Sequence, residues 1–506
     1  MWCARLPWWW RCGVINQQRG RIVRLSYHPV YHPAFRLALC AALLWLTGSV
    51  AVGRTEAQAL FQAAATPNCR LSVAAPLGVA NYLSELQLLR AGAYLDWGTT
   101  RTPGVPAKID YIYVLRVRSD VYASVKAGLP ALLAANPGQT WLVGNEPDTY
   151  YENQDGVLPE TYADRFFELA TIIRAQDPTA KTGFATIVQP TPLRLRYLTR
   201  AYDRLVARAG SAAAASELID LWSIHSFILN EQPGQWGTGI PPGFENDYSD
   251  AQVITNFHDT HSVSLFQQRV RNLRSWMAQR GQRDKPLWIT EYGSLFPEWY
   301  PGFNDQITID FLTQTFNWMR NAADSQTGMS GDANRLVQRW FWYSLNGVRT
   351  GGTSFGGTLF DPALNRQITP IGTAYRNYSE GWSALPDLAF AGWKINRQES
   401  SGGIATYTLR IEVINRGSAH TFDGFSATLV KKPGVQDLTV AQGTLPRLDG
   451  CGSRRWITLS WDDSDNEPYP LSLSISPLNS ADEKPTDNQA LIIANALNLY
   501  LPFVSR

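Results

Sequence analysis

The 506-residue sequence is poor in cysteine, histidine and charge. Of five cysteines, Cys3, Cys12 and Cys40 stand near the N-terminus, which leaves Cys69 and Cys451 to the rest of the chain and excludes a disulfide-built scaffold. Two of the six histidines are also N-terminal, and His258 and His261 lie in a polar stretch without a ligand cluster, so a solvated loop is the reading there and no metal site is expected. Charged residues are only 17% of the chain, and the net charge of +2 misleads: residues 1–59 hold seven Arg, no Lys and one Glu, whereas residues 60–506 carry 38 basic against 42 acidic residues. No basic surface for nucleic acid is implied. A Gly-rich phosphate loop is missing after the first apolar run, which argues against a dinucleotide-binding or P-loop fold and against a cofactor of that kind; the GGTSFGG run from Gly351 reads as a flexible loop.

What is present is apolar and aromatic: 44% hydrophobic residues, 12% aromatic, and nineteen tryptophans, enough for a large core and far from a disordered composition. The N-terminal arginines precede an apolar stretch from Leu37 to Val52, and Ala57-Gln58-Ala59 supplies a small-x-small cleavage pattern. Residues 1–59 therefore read as an export leader, with an uncleaved anchor as the second reading. In an exported chain Cys69 and Cys451 either pair or remain separate buried thiols, and both readings stay open.

From residue 60 to 384 short strand-like runs alternate with helical periodicity. Eight candidate strands begin near Arg70, Ala93, Asp110, Thr140, Lys181, Ile219, Pro286 and Arg339, with long helical patterns from Glu160, Leu193 and Val263 between them. Eight strand–helix repeats predict a closed (β/α)8 TIM barrel, an α/β fold with a parallel sheet. The stretch from Asn230 to His261 is either a loop that builds a cleft or a disordered insertion. Residues 385–506 change texture: LPDLAF, IATYTLRIEVIN, FSATLVKK, RRWITLSWDD and PLSLSI alternate with period two between turn residues and predict a smaller all-β sandwich. The final LNLYLPFVSR reads as a last strand or a surface-attachment signal.

Two runs end in a glutamate: WLVGNEPD at Glu146 and LWITEYGS at Glu291. These fall on the fourth and seventh predicted strands, and strand C-termini converge on one mouth of a barrel. Glycoside cleavage needs a proton for the leaving oxygen and a carboxylate at the anomeric carbon, which two carboxyl groups in different settings supply.

Asn145-Glu146-Pro147 on strand four and Thr290-Glu291-Tyr292-Gly293 on strand seven resemble the signatures of the retaining (β/α)8 glycoside hydrolase clan that includes cellulases, mannanases, β-xylosidases and endo-β-1,3-glucanases. The resemblance implies Glu146 as acid/base, Glu291 as nucleophile, and Asn145 at the sugar 2-hydroxyl. It also implies a role for His225, near the nucleophile on strand six, and for Trp342, flooring the adjacent sugar subsite on strand eight, with Trp340 as competitor. Many members carry a Tyr two residues after that histidine; this chain has Phe227. Tyr292 either bonds Glu291 or faces the barrel wall. Trp97, beside Asp96, is placed to line the cleft, and Arg116 either orients a carboxylate or forms a salt bridge outside the barrel. PDLAF, the Asn415-Arg416-Gly417 turn and DEKPTDNQA resemble the cell-adhesion-related domain of bacterial exported proteins.

The sequence thus points to a secreted or cell-surface retaining glycosidase acting on a β-linked polysaccharide or oligosaccharide, with surface or membrane attachment through the leader or tail as a further expectation. Two alternatives stand beside it: an exo-acting β-glycosidase, and a non-catalytic carbohydrate-binding or adhesion protein on the same barrel.

Overall fold

The computed structural model describes residues 66–494 except 298–299, 350–354, 400–402, 432–436 and 465–468. The leader, the start of the Gly351 run and the C-terminal tail lie outside the described residues.

All eight expected strands form, as β1 (Asn68–Ala74), β2 (Ala91–Leu95), β3 (Asp110–Leu115), β4 (Thr140–Val143), β5 (Lys181–Ile187), β6 (Leu221–His225), β7 (Leu287–Tyr292) and β8 (Arg339–Tyr343). They pair in parallel in chain order and close through β1 and β8. Side chains alternate between two cores, as a pleated strand requires. Leu95, Ile112, Val114, Leu142, Leu221, Trp288 and Phe341 fill the barrel interior. Their neighbours Tyr94, Tyr113, Trp141, Val143, Trp222, Ile289, Trp340 and Trp342 face the surrounding helices. The helical patterns form Pro159–Gln176, Pro192–Ala209 and Val263–Gln279. The side chain of Thr191 caps the second and that of Ser262 the third, each accepting from a backbone N–H of the first turn.

β7 breaks the alternation. Trp288 points inward, and Thr290 meets Ser223 of β6 at 2.8 Å. The register then shifts between Ile289 and Tyr292, so Glu291 also points inward and Tyr292 turns to the helices. A bulge at a strand end re-aims a side chain in this way.

The segment after β6 is anchored rather than loose. Glu231 is fully buried and accepts from Gln189, Thr191 and Arg194, and Arg194 also pairs with Asp148, two residues past Glu146. His261 is buried against Phe303 and Phe311, not solvated as its polar surroundings suggest, and burial with neighbouring His258 holds its pKa down to about 4.

After the barrel a short antiparallel ribbon forms from β9 (Phe360–Asp361) and β10 (Gln367–Ile368). The expected sandwich comprises β11 (Leu388–Glu399), β12 (Ala405–Asn415) and β15 (Ser453–Asp463) in one antiparallel sheet. The other sheet holds β14 (Leu438–Leu445), β13 (Phe425–Lys431), β16 (Tyr469–Pro477) and β17 (Gln489–Ala494). β14 and β17 escape the sequence reading because they bury little and so carry weak alternation. The inner faces share a core that includes Leu409, Ile411, Phe425, Leu471 and Leu473, all buried.

The sandwich meets the barrel at the N-terminal ends of its strands. Cys69 and Cys451 form a disulfide, with Cα atoms 6.2 Å apart, that joins β1 to the turn before β15. Beside it Arg447 pairs with Asp110 at 2.9 Å and Lys181 with Asp449 at 3.1 Å. Glu146 and Glu291 lie at the opposite, C-terminal ends of their strands. Among the described residues no helix is long and apolar enough to cross a membrane.

Candidate active site

The chain leaves β4 through two left-handed residues, Gly144 (φ +92°) and Glu146 (φ +44°). Glycine is required at the first, because a Cβ there would meet the Tyr162 ring at 2.9 Å. Asp155 holds the turn: its Oδ2 accepts from the Asn145 N–H at 2.7 Å and the Val117 N–H at 3.0 Å, and its Oδ1 accepts from Arg116 Nε at 2.8 Å. The Glu146 N–H donates to Thr186 O at 3.0 Å. Glu146 is thereby fixed beyond the C-terminal end of β4 by a strained turn, an arrangement characteristic of functional sites.

Glu291 comes from the β7 bulge, and His225 of β6 is its register partner. The imidazole lies between the two carboxylates, with Nδ1 2.8 Å from Glu146 Oε1 and Nε2 3.1 Å from Glu291 Oε1. One oxygen of each glutamate and one His225 nitrogen all fall within 4.8 Å of one another. Trp97, following β2, donates its indole N–H to Glu291 Oε1 at 2.8 Å. Trp97, Phe227, Tyr343 and Phe355 surround the group, with Tyr343 within 6.1 Å of each of the other three rings.

All three ionisable groups are buried. Burial pushes the Glu291 carboxyl up to about 7; His225 opposes the shift, Glu146 adds to it, and Trp97 and Arg116 oppose it. Burial works against the His225 imidazolium, but Glu291 and Glu146 outweigh it and hold its pKa above the usual value. With both ring nitrogens protonated, His225 donates from Nδ1 to Glu146 and forms an ion pair through Nε2 with Glu291. The same three residues have a spacing that a metal ion could use, as do Asp387, Asp482 and Asp487 of the sandwich.

Glu146, Glu291, His225 and Trp97 converge. Asn145 is buried beside them, its amide donating to Gln154 Oε1 at 2.5 Å. Arg116 orients the Asp155 carboxylate and so braces the Glu146 turn from behind, and it also bonds Asn153 O. Two placements need correction. Tyr292 does not face the cleft: it is fully buried among Phe266, Phe311 and Trp342, with its hydroxyl 3.3 Å from Thr315, because the β7 bulge turns it outward. Trp342 does not floor a subsite either. It is fully buried in the helix-facing layer and donates to Gly357 O at 2.7 Å, and Trp340 shares that face. Tyr343, one residue on, points inward instead. The inward parity of β8, Arg339–Phe341–Tyr343, was the signal available for it. Asp155, the brace behind Glu146, was also missed, and nothing in its loop sequence marks it.

Residues 244–375 match the family model described as "Glycosyl hydrolase catalytic core". That segment takes in β7, β8 and Glu291. No curated protein matches the sequence. Among solved structures, the chain is similar to GH5_18 from Streptomyces cattleya in complex with GlcNAc, with 14% identity over 63% of this chain and 81% of that one and a TM-score of 0.37. It is also similar to Bacteroides uniformis beta-glucuronidase 2, with 10% identity over 84% of this chain and 46% of that one and a TM-score of 0.37. The CARDB domain of the PF1109 protein from Pyrococcus furiosus is a third likeness, with 14% identity over 22% of this chain and 86% of that one and a TM-score of 0.17. With a glycosyl hydrolase catalytic core over residues 244–375 and two facing glutamates in the barrel mouth, the protein is a glycosidase.

Proposed function

We propose that the protein is an exported retaining glycoside hydrolase that cleaves a β-linked polysaccharide or oligosaccharide by double displacement. The observation that carries this reading is the approach of the two carboxylates, with an oxygen of Glu146 and an oxygen of Glu291 within 4.8 Å. Retaining enzymes hold their carboxyl groups about 5–5.5 Å apart and inverting ones about 6.5–9.5 Å, to admit a water. In the first step Glu291 attacks the anomeric carbon as the glycosidic bond breaks, and Glu146 passes its proton to the leaving oxygen. Glu291 is then an ester and carries no charge, the proton affinity of Glu146 falls, and Glu146 takes a proton from the incoming water, which releases the sugar.

For the first step Glu146 must carry a proton and Glu291 must be ionised, and a doubly protonated His225 then presents one N–H to each carboxyl. The disulfide supports export, since such bonds persist in oxidising compartments. On this reading residues 1–59 are the leader, 60–384 the catalytic domain and 385–506 an accessory sandwich, attached at the end of the barrel away from the glutamates, where it can tether the enzyme without covering its mouth.

The test is reducing-sugar release from β-glucans, mannans, xylans and galactans by the protein, its Glu146→Gln variant and its Glu291→Gln variant. Release by the wild type that both substitutions abolish is the expected outcome and names the sugar. Undiminished release by Glu291→Gln would overturn the assignment of the nucleophile, and no release from any β-linked substrate would overturn the substrate class.

A further inference from the structure

Many members of the clan this chain resembles carry a tyrosine two residues after the strand-six histidine, and here that position is Phe227. A phenyl ring offers no donor, and Phe227 is buried with its ring 5.8 Å from that of Tyr343. The hydrogen bond to Glu291 comes instead from Trp97 of the β2 loop. Trp97 Nε1 and His225 Nε2 both meet Oε1, at 2.8 and 3.1 Å, and among the described residues no hydrogen bond reaches Oε2.

The loop is built to hold the indole there. Trp97 adopts φ +57°, a left-handed conformation uncommon for a bulky residue. Asp96 fixes the loop on both sides, its Oδ1 accepting from the Tyr111 hydroxyl at 2.6 Å and the Gly98 N–H at 3.2 Å. A tryptophan serving only as a sugar platform would need its face presented and would have no use for an N–H aimed at a carboxylate.

We propose that Trp97 is a positioning residue for the nucleophile: its indole N–H holds Glu291 Oε1 and so presents Oε2 as the attacking atom. The inference rests on the retaining reading above. In the step concerned, Glu291 Oε2 forms a bond to the anomeric carbon, the glycosidic C–O bond breaks, and the Glu146 proton goes to the departing oxygen. Trp97 bonds to the other oxygen throughout and transfers nothing.

Trp97→Phe keeps an aromatic ring but removes the donor together with the smaller ring of the indole. On a 4-nitrophenyl β-glycoside that the wild type cleaves, kcat is expected to fall about 10²- to 10³-fold, the range for losing one aimed donor, with little change in KM. The acid limb of the pH profile is expected to move upward, because the ionised nucleophile has lost a partner. A second readout is independent of activity: the indole N–H signal that disappears in Trp97→Phe is followed by 15N–1H NMR against pH. It should titrate in the wild type and lose that response in Glu291→Gln. An indole signal indifferent to both pH and Glu291→Gln, or a Trp97→Phe defect confined to KM, would overturn the proposal. If no glycoside is cleaved, the retaining reading fails while the NMR experiment still decides the contact.

Discussion

His225 stands with Nδ1 2.8 Å from Glu146 Oε1 and its other ring nitrogen against Glu291, so a single imidazole senses the charge of both carboxylates. Because burial raises Glu291 to about 7, activity should climb as pH rises towards that value, above the ordinary carboxylate range. His225→Asn removes the cation that opposes the shift. The acid limb of kcat/KM should then move to higher pH and kcat should fall by about 10²-fold or more, as for the loss of a preorganised donor. Rate measurements across pH 4–9 check this, and an unmoved acid limb would show that His225 has no hold on the nucleophile.

Tyr343 and Trp342 exchange the roles that the motif resemblance suggests. Trp342→Ala opens the helix-facing core and should cost about 3–5 kcal/mol of stability, read as a lower denaturation midpoint. Tyr343→Ala lies at the mouth and should raise KM while lowering the midpoint less than Trp342→Ala does. The reverse pattern would restore Trp342 to the cleft.

Much of this protein was legible in its sequence because barrel strands and the glutamates at their ends obey local rules. Strand runs, helical periods and both Glu positions follow from patterning and strand-end chemistry. Tyr292 and Trp342 were misplaced for different physical reasons. A one-residue bulge at Glu291 inverts parity, and no local pattern announces it. On β8 the two tryptophans occupy the helix-facing side, while Tyr343 carries the inward parity. The Arg116–Asp155 brace and the Asp148–Arg194–Glu231 cluster join residues 37 to 46 positions apart or more, separations that periodicity does not reach.

Gly144 makes a sharper test of the acid/base turn than a substitution at Glu146. Gly144→Ala imposes a left-handed alanine and a Cβ at 2.9 Å from Tyr162. About 1–3 kcal/mol of strain results, and the turn relieves it by moving Glu146. Activity should drop further than stability does, with the largest loss on substrates whose leaving group needs protonation. Wild-type turnover in Gly144→Ala would mean that the turn does not set the acid.

The junction between barrel and sandwich should be acid-sensitive. Burial works against ionised Asp110 and Asp449, but His420, Arg339 and Arg447 around the first, and Lys181, His420 and Arg447 around the second, hold both below the usual carboxylate range. Their folded pKa values are depressed, so their contribution is present above pH ~4 and is lost as pH falls below it. Thermal denaturation at pH 3 and pH 7 should show a smaller acid loss in Asp449→Asn than in the wild type. Cys451→Ser should lower the midpoint at both pH values by removing the link between Cys69 and the sandwich. Equal acid sensitivity in Asp449→Asn would remove this pair from the account.

The measurement that tests the central claim most directly is the anomeric configuration of the first product. With the β-linked substrate cleaved fastest by the wild type, 1H NMR during the first minutes distinguishes the nascent hemiacetal before it mutarotates. Glu146 and Glu291 acting through a glycosyl-enzyme predict the β-anomer first, with the α-anomer growing only as mutarotation proceeds. The α-anomer appearing first would mean inversion by a single displacement and would contradict the nucleophilic role given to Glu291.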